Sequence, residues 1–297
     1  MSTKVLLVPD VDWWVFHRVA MVVKSALEPE FEVRVAYSSQ KGLFPEDFQW
    51  ADIILFWNYD YYVNWQFPFE LYQKKTLLRV CAHVGMGNEQ YPERINNQMK
   101  GVVASSLQLA EMFRDKGIKA YYISDYVDLS KFSKLKMGKI RKNFENKDWG
   151  WAGREQGTIK GLSIMEEAAK DFPNFHVAGG KIREENMPEF YSQIGLYVNM
   201  SETEGTPMPV LEACARGIPV ISTAVGVVPE LAKESTGVIV IERSPEALKQ
   251  ALKEFFSLPI NQYKTMCDEN RLAVNRFGID TVKKQYLEQF RLWSKEC

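Results

Sequence analysis

The sequence predicts an α/β protein made of two doubly wound parallel sheets. Three observations lead there. Short β-branched and aromatic runs alternate with stretches of helical periodicity through the first 123 residues, the pattern of parallel strands joined by crossover helices. A polar, mostly basic run from Lys131 to Asp148 breaks this rhythm, and a second alternating series follows it. At 297 residues the chain is comfortable for two domains. The expected division is a first domain over 1–132, a linker over 133–148, a second domain over 149–275, and a final helical segment over 276–297 that packs back on the first domain.

Taken in order, Val5–Pro9, Glu32–Tyr37, Ile53–Trp57, Leu77–His83, Val102–Ala104 and Ala120–Ile123 read as strands. Val15–Leu27 and Leu107–Lys116 between them repeat their apolar residues at helical spacing. After the basic run, Trp149–Ala152, Phe175–Ala178, Leu196–Asn199, Ile218–Ser222 and Val238–Val240 are the second set of strands. Gly161–Asp171, Met187–Ile194, Met208–Arg216 and Pro245–Ser257 are its helices. The tail from Ile260 to Trp293 reads as two helices around a break at Arg276-Phe277-Gly278. Two such Rossmann-like halves would place a cleft between them, with ligands at the carboxyl ends of the strands.

Composition excludes several function classes. A net charge of -1 provides no general pull toward nucleic acid or an anionic membrane. The four cysteines are scattered with no CxxC pair, which argues against a zinc site or a disulfide framework and for a reducing compartment. No apolar run approaches the ~20 residues of a membrane span, and the apolar start is interrupted by Asp10, unlike a signal peptide. The expected location is cytoplasmic. Five of the eight tryptophans fall in the first 65 residues, a density that suits stacking on a flat or ring-shaped acceptor as well as a core.

The chemistry concentrates between Ser201 and Glu230. Glu204 and Glu212 stand eight apart and flank a Gly-Thr-Pro turn that opens an apolar helix. Amide groups at a helix start suit a phosphate. A glutamate inside the helix can accept hydrogen bonds from a ribose, and one before the turn can meet a sugar ring. Upstream, Gly153-Arg154 ends a strand and Lys160-Gly161 opens a helix, so the two cations suit one anionic group such as a diphosphate. Two solvated loop cations are the plainer reading of that pair alone. His83 ends an apolar strand within a glycine-flanked loop, Gly85 and Gly87; His176, inside Phe175–Ala178, reads as a core group or as one that supports a site residue from behind.

Gly153-Arg154 with Lys160-Gly161, Ala178-Gly179-Gly180, and Glu204 through Glu230 resemble glycosyltransferase family 4 and its retaining GT-B relatives. Those proteins share a GR…KG loop, a strand ending in small-Gly-Gly, and an E-x7-E segment. The last is followed there, as here at Glu212–Val220, by an EA(M/C)A-x-G-x-PV piece. The resemblance spans about 149–240. In the first half it is carried by Ala82-His83-Val84, Ala104-Ser105-Ser106, and Val127-Asp128 with Phe132. It implies a GT-B fold in which Arg154 and Lys160 bind the donor diphosphate and Glu212 the ribose. Glu204 would contact the transferred sugar, the segment Gly205, Thr206, Pro207, Met208 would supply amides, and Gly153 would shape the loop. His83 would stand near the reacting sugar, and Glu230 would be structural.

The sequence departs from that family where a Gly-Gly loop usually follows the first strand: here it reads Pro9-Asp10-Val11-Asp12-Trp13-Trp14. Asp10, Asp12, Trp13, Arg18, Asn58 and Tyr59 are the candidates for the acceptor side. Asp10-Val11-Asp12 is formally a DxD metal motif of another glycosyltransferase fold, but it follows the first strand, and no metal is expected. The activity expected is metal-independent, retaining transfer of a sugar from a nucleoside diphosphate donor, a UDP- or GDP-sugar, with no tightly bound cofactor. The acceptor stays open among a glycan, a lipid-linked intermediate, a protein, a metabolite or a modified nucleic-acid base, and the basic linker admits peripheral membrane contact. A nucleotide-sugar hydrolase or epimerase on this scaffold and a non-catalytic sugar-nucleotide or glycan-binding module are the alternatives. A nicotinamide enzyme is disfavoured because no Gly-x-Gly-x-x-Gly follows the first strand.

Overall fold

A computed structural model describes residues 2–12, 15–39, 45–57, 69–81, 90–154, 158–180 and 182–296. Two units emerge, one of Met1–Asp125 with Ile279–Cys297, the other of Tyr126–Gly278.

The first unit is built on six parallel strands in the order β2-β1-β3-β4-β5-β6. These are β1 (Lys4–Val8), β2 (Glu32–Val35), β3 (Ile53–Trp57), β4 (Thr76–Val80), β5 (Gly101–Ala104) and β6 (Ala120–Tyr122). The central strands are apolar on both faces because both are covered. Leu6, Val8, Ile54, Phe56, Leu78 and Val102 share one face with Phe48, Ile95 and Phe113. Helix Val15–Leu27 buries Val19, Ala20, Val23, Ala26 and Leu27 at helical spacing. The terminal helix Ile279–Ser294 does the same with Val282, Tyr286, Phe290 and Trp293. Phe31 meets Phe290 edge-on, and Tyr121 meets Trp293 with ring centroids 5.1 Å apart. Each fully buried aromatic contributes about 2–3 kcal/mol, which ties the helix to the unit.

A charged pair lies inside this unit. Arg79 on β4 is 2 % exposed, and its Nη2 donates to Asp125 Oδ1 at 2.7 Å while Nη1 donates to the Ile123 carbonyl. Burial alone opposes the guanidinium charge; the fields of Tyr286 and Asp125 outweigh it and hold the group protonated.

The second unit carries five parallel strands in the order β11-β10-β9-β7-β8. These are β7 (Trp149–Trp151), β8 (Phe175–Val177), β9 (Leu196–Asn199), β10 (Val220–Ser222) and β11 (Val238–Val240). Leu196, Val198 and Met200 face one core and Tyr197 the other, the period-2 alternation of a sheet covered on both sides. Helix Met208–Arg216 ends in a left-handed Gly217, φ 76°. The Gly217 N–H returns to the Cys214 carbonyl and the Ile218 N–H to Ala213, the closing pair of a glycine-terminated helix. Ile218 is therefore spent on the cap, and β10 begins at Val220. The entry and exit of the unit lie side by side: the Val127 N–H donates to the Phe277 carbonyl at 2.8 Å.

The basic run expected as a linker over 133–148 holds a helix, Met137–Glu145, whose Ile140, Asn143 and Phe144 are buried. Phe144 stacks on Tyr263 at 4.1 Å, and Asn143 Nδ2 donates to the Ser192 and Ile194 carbonyls. Three inward residues anchor it while its lysines and Arg141 face outward, so a basic composition hid an amphipathic turn. Near the C-terminus the expected break is a 3-10 turn, Val274–Phe277, followed by extended Gly278. Among the described residues no helix is long and apolar enough to cross a membrane.

Candidate functional site

In a doubly wound sheet the strand order reverses at one point, and the loops diverging there leave room for a ligand at the carboxyl ends. In the second unit that point lies between β7 and β9. The loop after β7 carries Gly153, Arg154 and Lys160; the loop after β9 carries Ser201 and Glu204. The fold thus brings two segments some fifty residues apart in sequence to one place.

Backbone contacts lock these loops together. The Glu202 N–H donates to the Ile159 carbonyl at 2.8 Å, and Arg243 Nε donates to the Met200 carbonyl at 2.9 Å. Gly161 stands at φ 69°, and a Cβ there would drive into the Met200 carbonyl oxygen. Only glycine lets the loop approach the end of β9 so closely. Gly226, φ 55°, plays the same part after β10, where a Cβ would collide with the Gly205 carbonyl oxygen. Thr223 Oγ1 adds a 2.6 Å bond to the Ser201 carbonyl.

Within this frame Lys160 Nζ lies 2.6 Å from Glu204 Oε1, with side chains 24 % and 17 % exposed. Ser201 Oγ stands 2.8 Å from the same carboxylate oxygen and 2.9 Å from Asn199 Oδ1, and its single proton can serve one of them at a time. Glu204 is thereby aimed by a cation and a hydroxyl. Arg154 is exposed, with its stem beside Gly180, which adopts φ 72° at the end of β8.

Glu212 lies one turn into helix Met208–Arg216. Its Oε2 accepts from Tyr191 OH at 2.8 Å. Burial, then the field of Glu212, pushes the Tyr191 phenol well above its ordinary range, so it stays a neutral donor. No side chain caps the start of this helix. Pro207 and Pro209 have no N–H, and those of Val210 and Leu211 turn back to the Pro207 carbonyl. This corrects one expectation: Pro207 supplies a rigid turn rather than an amide donor, leaving Gly205, Thr206 and Met208 as the amides around it. Glu230, on the short helix Val228–Ala232 with its side chain largely buried, is held at 2.7 Å by Nη2 of Arg276 from the turn Val274–Phe277.

In the first unit the order reverses between β1 and β3. Asp10 follows β1 and is 9 % exposed; burial raises its carboxyl above the ordinary range against the opposing Val11 N–H bond at 2.8 Å. Asp12 and Arg18 are exposed beside it in sequence. His17 Nδ1 pairs with Tyr37 OH at 2.9 Å, a contact the sequence did not announce. His83, Trp13, Asn58 and Tyr59 lie outside the described residues. His176 Nε2 sits 3.1 Å from Asp148 Oδ1.

Sequence reasoning missed Tyr191, Ser201 and Thr223. Each acts through a partner supplied by another strand or helix, and no local pattern marks that.

Residues 165–272 match the glycosyl transferases group 1 family, a span that lies inside the second unit and contains Glu204, Glu212 and Glu230. No curated protein sequence matches the chain. Its fold is similar to sucrose-phosphate synthase from Thermosynechococcus elongatus, at 14% identity over 99% of this chain and 100% of that one, TM-score 0.75. A glycosyltransferase from Rickettsia africae aligns at 17% identity over the whole of both chains, TM-score 0.70. HepE of Anabaena, solved in complex with UDP and glucose, aligns at 14% identity over 97% and 99%, TM-score 0.69. At these identities the likeness is one of fold, and the fold is GT-B.

Proposed function

Starting from a glycosyltransferase of GT-B fold that carries a group 1 domain, we propose that this chain transfers a sugar from a nucleoside diphosphate donor with retention and without a divalent ion. The observation that carries the proposal is the Lys160–Glu204 pair at the reversal point of the second sheet, four residues before the start of helix Met208–Arg216. A ligand there meets a cation, a carboxylate and backbone amides, which fits a pyrophosphate joined to a hydroxyl-rich ring.

In this reading the donor diphosphate shares the Lys160 ammonium with Glu204, which accepts from it at 2.6 Å. Arg154 supplies a second, planar contact. Glu212, aimed by Tyr191, accepts from the ribose hydroxyls. As the bond from anomeric carbon to phosphate oxygen breaks, charge grows on the diphosphate; Lys160, Arg154 and the amides near Gly205 stabilise it. Each such donor in a water-poor site is worth about 3 kcal/mol of barrier. The acceptor oxygen bonds to the anomeric carbon on the same face, and its proton passes to the departing phosphate oxygen. No strong side-chain base is needed, and the cations take the part a metal plays elsewhere.

One protein of similar fold, HepE, was solved in complex with UDP and glucose, which makes a UDP-sugar the first donor to try. The test is a thermal-shift panel of UDP-, GDP-, ADP- and TDP-sugars in EDTA. A cognate donor at a hundred times its Kd raises native stability by about 2.7 kcal/mol. Stabilisation by one nucleotide class in EDTA is expected; no stabilisation by any of them, or stabilisation only with added Mg²⁺, would refute the reading.

A further inference from the structure

The first unit carries a second charged concavity at the opposite pole of its sheet. A cavity of 520 Å³ opens at the amino ends of β4, β5 and β6, where the doubly wound fold does not place its ligand. Lys74 lies in the turn Phe69–Lys75 that leads into β4, Lys100 precedes β5, and Lys119 precedes β6; Asn96, Gly117 and Glu296 complete the wall. Among the described residues three lysines and one carboxylate line this hollow, a local positive excess in a chain whose net charge is -1. That excess is not explained by the fold.

The pairing inside the cavity is lopsided. Glu296 Oε2 lies 2.9 Å from Lys100 Nζ and 3.9 Å from Lys119 Nζ. Among the described residues Glu296 is the sole ion-pair partner of Lys100, whose side chain is 12 % exposed. The Lys119 ammonium also sits 5.3 Å from the Tyr121 ring. The Lys100 hydrogen bond, against slight desolvation, holds the Glu296 carboxyl below its usual range. Gly117, φ 75°, leaves open space where a Cβ would stand. One carboxylate, Glu296, thus serves two of the three lysines that separate elements bring to one hollow.

We propose that this cavity binds a small phosphate-bearing anion, and that Glu296 is the internal group such an anion displaces. Ammonium groups are point charges that suit the spread oxygens of a phosphate, and the volume lies within the range of small-ligand sites. A diphosphate or a phosphate monoester satisfies all three lysines at once, which one glutamate cannot.

Calorimetry with inorganic pyrophosphate tests this, in an Arg154→Ala/Lys160→Ala background so that the donor site contributes nothing. Saturable binding is expected, weakened at least tenfold by Lys100→Ala and by Lys119→Ala. Glu296→Gln keeps every lysine and removes the competitor, so it tightens binding about two- to fivefold, the size of a partly exposed ion pair. No binding, affinity unchanged from the parent in both lysine variants, or weaker binding in Glu296→Gln would overturn the proposal; the last holds even if a lysine variant unfolds. Sedimentation with phosphatidylglycerol vesicles that Lys100→Ala abolishes names a lipid headgroup as the phosphate source. Pyrophosphate binding without sedimentation names a soluble one.

Discussion

Replacing Lys160 by methionine separates the catalytic from the structural value of its pair with Glu204. The two groups meet at 2.6 Å, but with side chains 24 % and 17 % exposed they are partly screened by water. Intermediate exposure places the net contribution of such a pair near 1 kcal/mol. Lys160→Met also leaves the Glu204 carboxylate with Ser201 as its remaining side-chain donor among the described residues, which adds a similar cost. The expected stability loss is therefore about 1–2 kcal/mol by urea denaturation. In turnover the same change removes a cation from the developing diphosphate charge, a loss of about 10²–10³-fold. Lys160→Met/Glu204→Gln supplies the control, because it removes the orphaned carboxylate along with the cation. Stability should recover to within about 1 kcal/mol of native, the value of the lost pair itself, while turnover stays as low as in the single variant or falls further. A Lys160→Met protein within threefold of native turnover refutes the argument, as does a double variant that regains turnover along with stability.

Three other outcomes follow from the geometry. Gly161→Ala should cost about 1–2 kcal/mol from left-handed strain alone and more from collision with the Met200 carbonyl; calorimetric melting and donor affinity should fall together, and an unchanged melting point contradicts the close approach. Tyr191→Phe removes the 2.8 Å bond to Glu212 without changing shape, and should weaken nucleoside diphosphate binding about tenfold, worth ~1.4 kcal/mol, by titration calorimetry. Arg79→Met leaves Asp125 as a nearly buried carboxylate without its cation, and should destabilise the protein by about 3–5 kcal/mol in urea denaturation. Arg79→Met/Asp125→Asn should recover most of that loss.

What the sequence announced and what it concealed differ for physical reasons. Ile53–Trp57 is legible because all five residues are buried, and a continuous apolar run is what a two-sided parallel strand requires. Glu204, Glu212, Gly161 and Gly217 stand out because spacing and backbone freedom are local properties. Helix Met137–Glu145 was hidden because two apolar anchors in nine residues cannot outweigh its charges. Tyr191, Ser201 and Thr223 were invisible for another reason: each owes its role to a partner brought from a different element. That the terminal helix Ile279–Ser294 groups with the first unit depends on Phe290 and Trp293 finding Phe31 and Tyr121, pairs more than 170 residues apart in sequence.

The most direct measurement of the central claim is a crystal structure of the native protein grown with a nucleoside diphosphate in EDTA. The account predicts diphosphate density within hydrogen-bond distance of Lys160 Nζ at the carboxyl ends of β7 and β9, with the ribose hydroxyls on Glu212. Lys160 still closed on Glu204, with the nucleotide bound elsewhere on the second sheet, would contradict it.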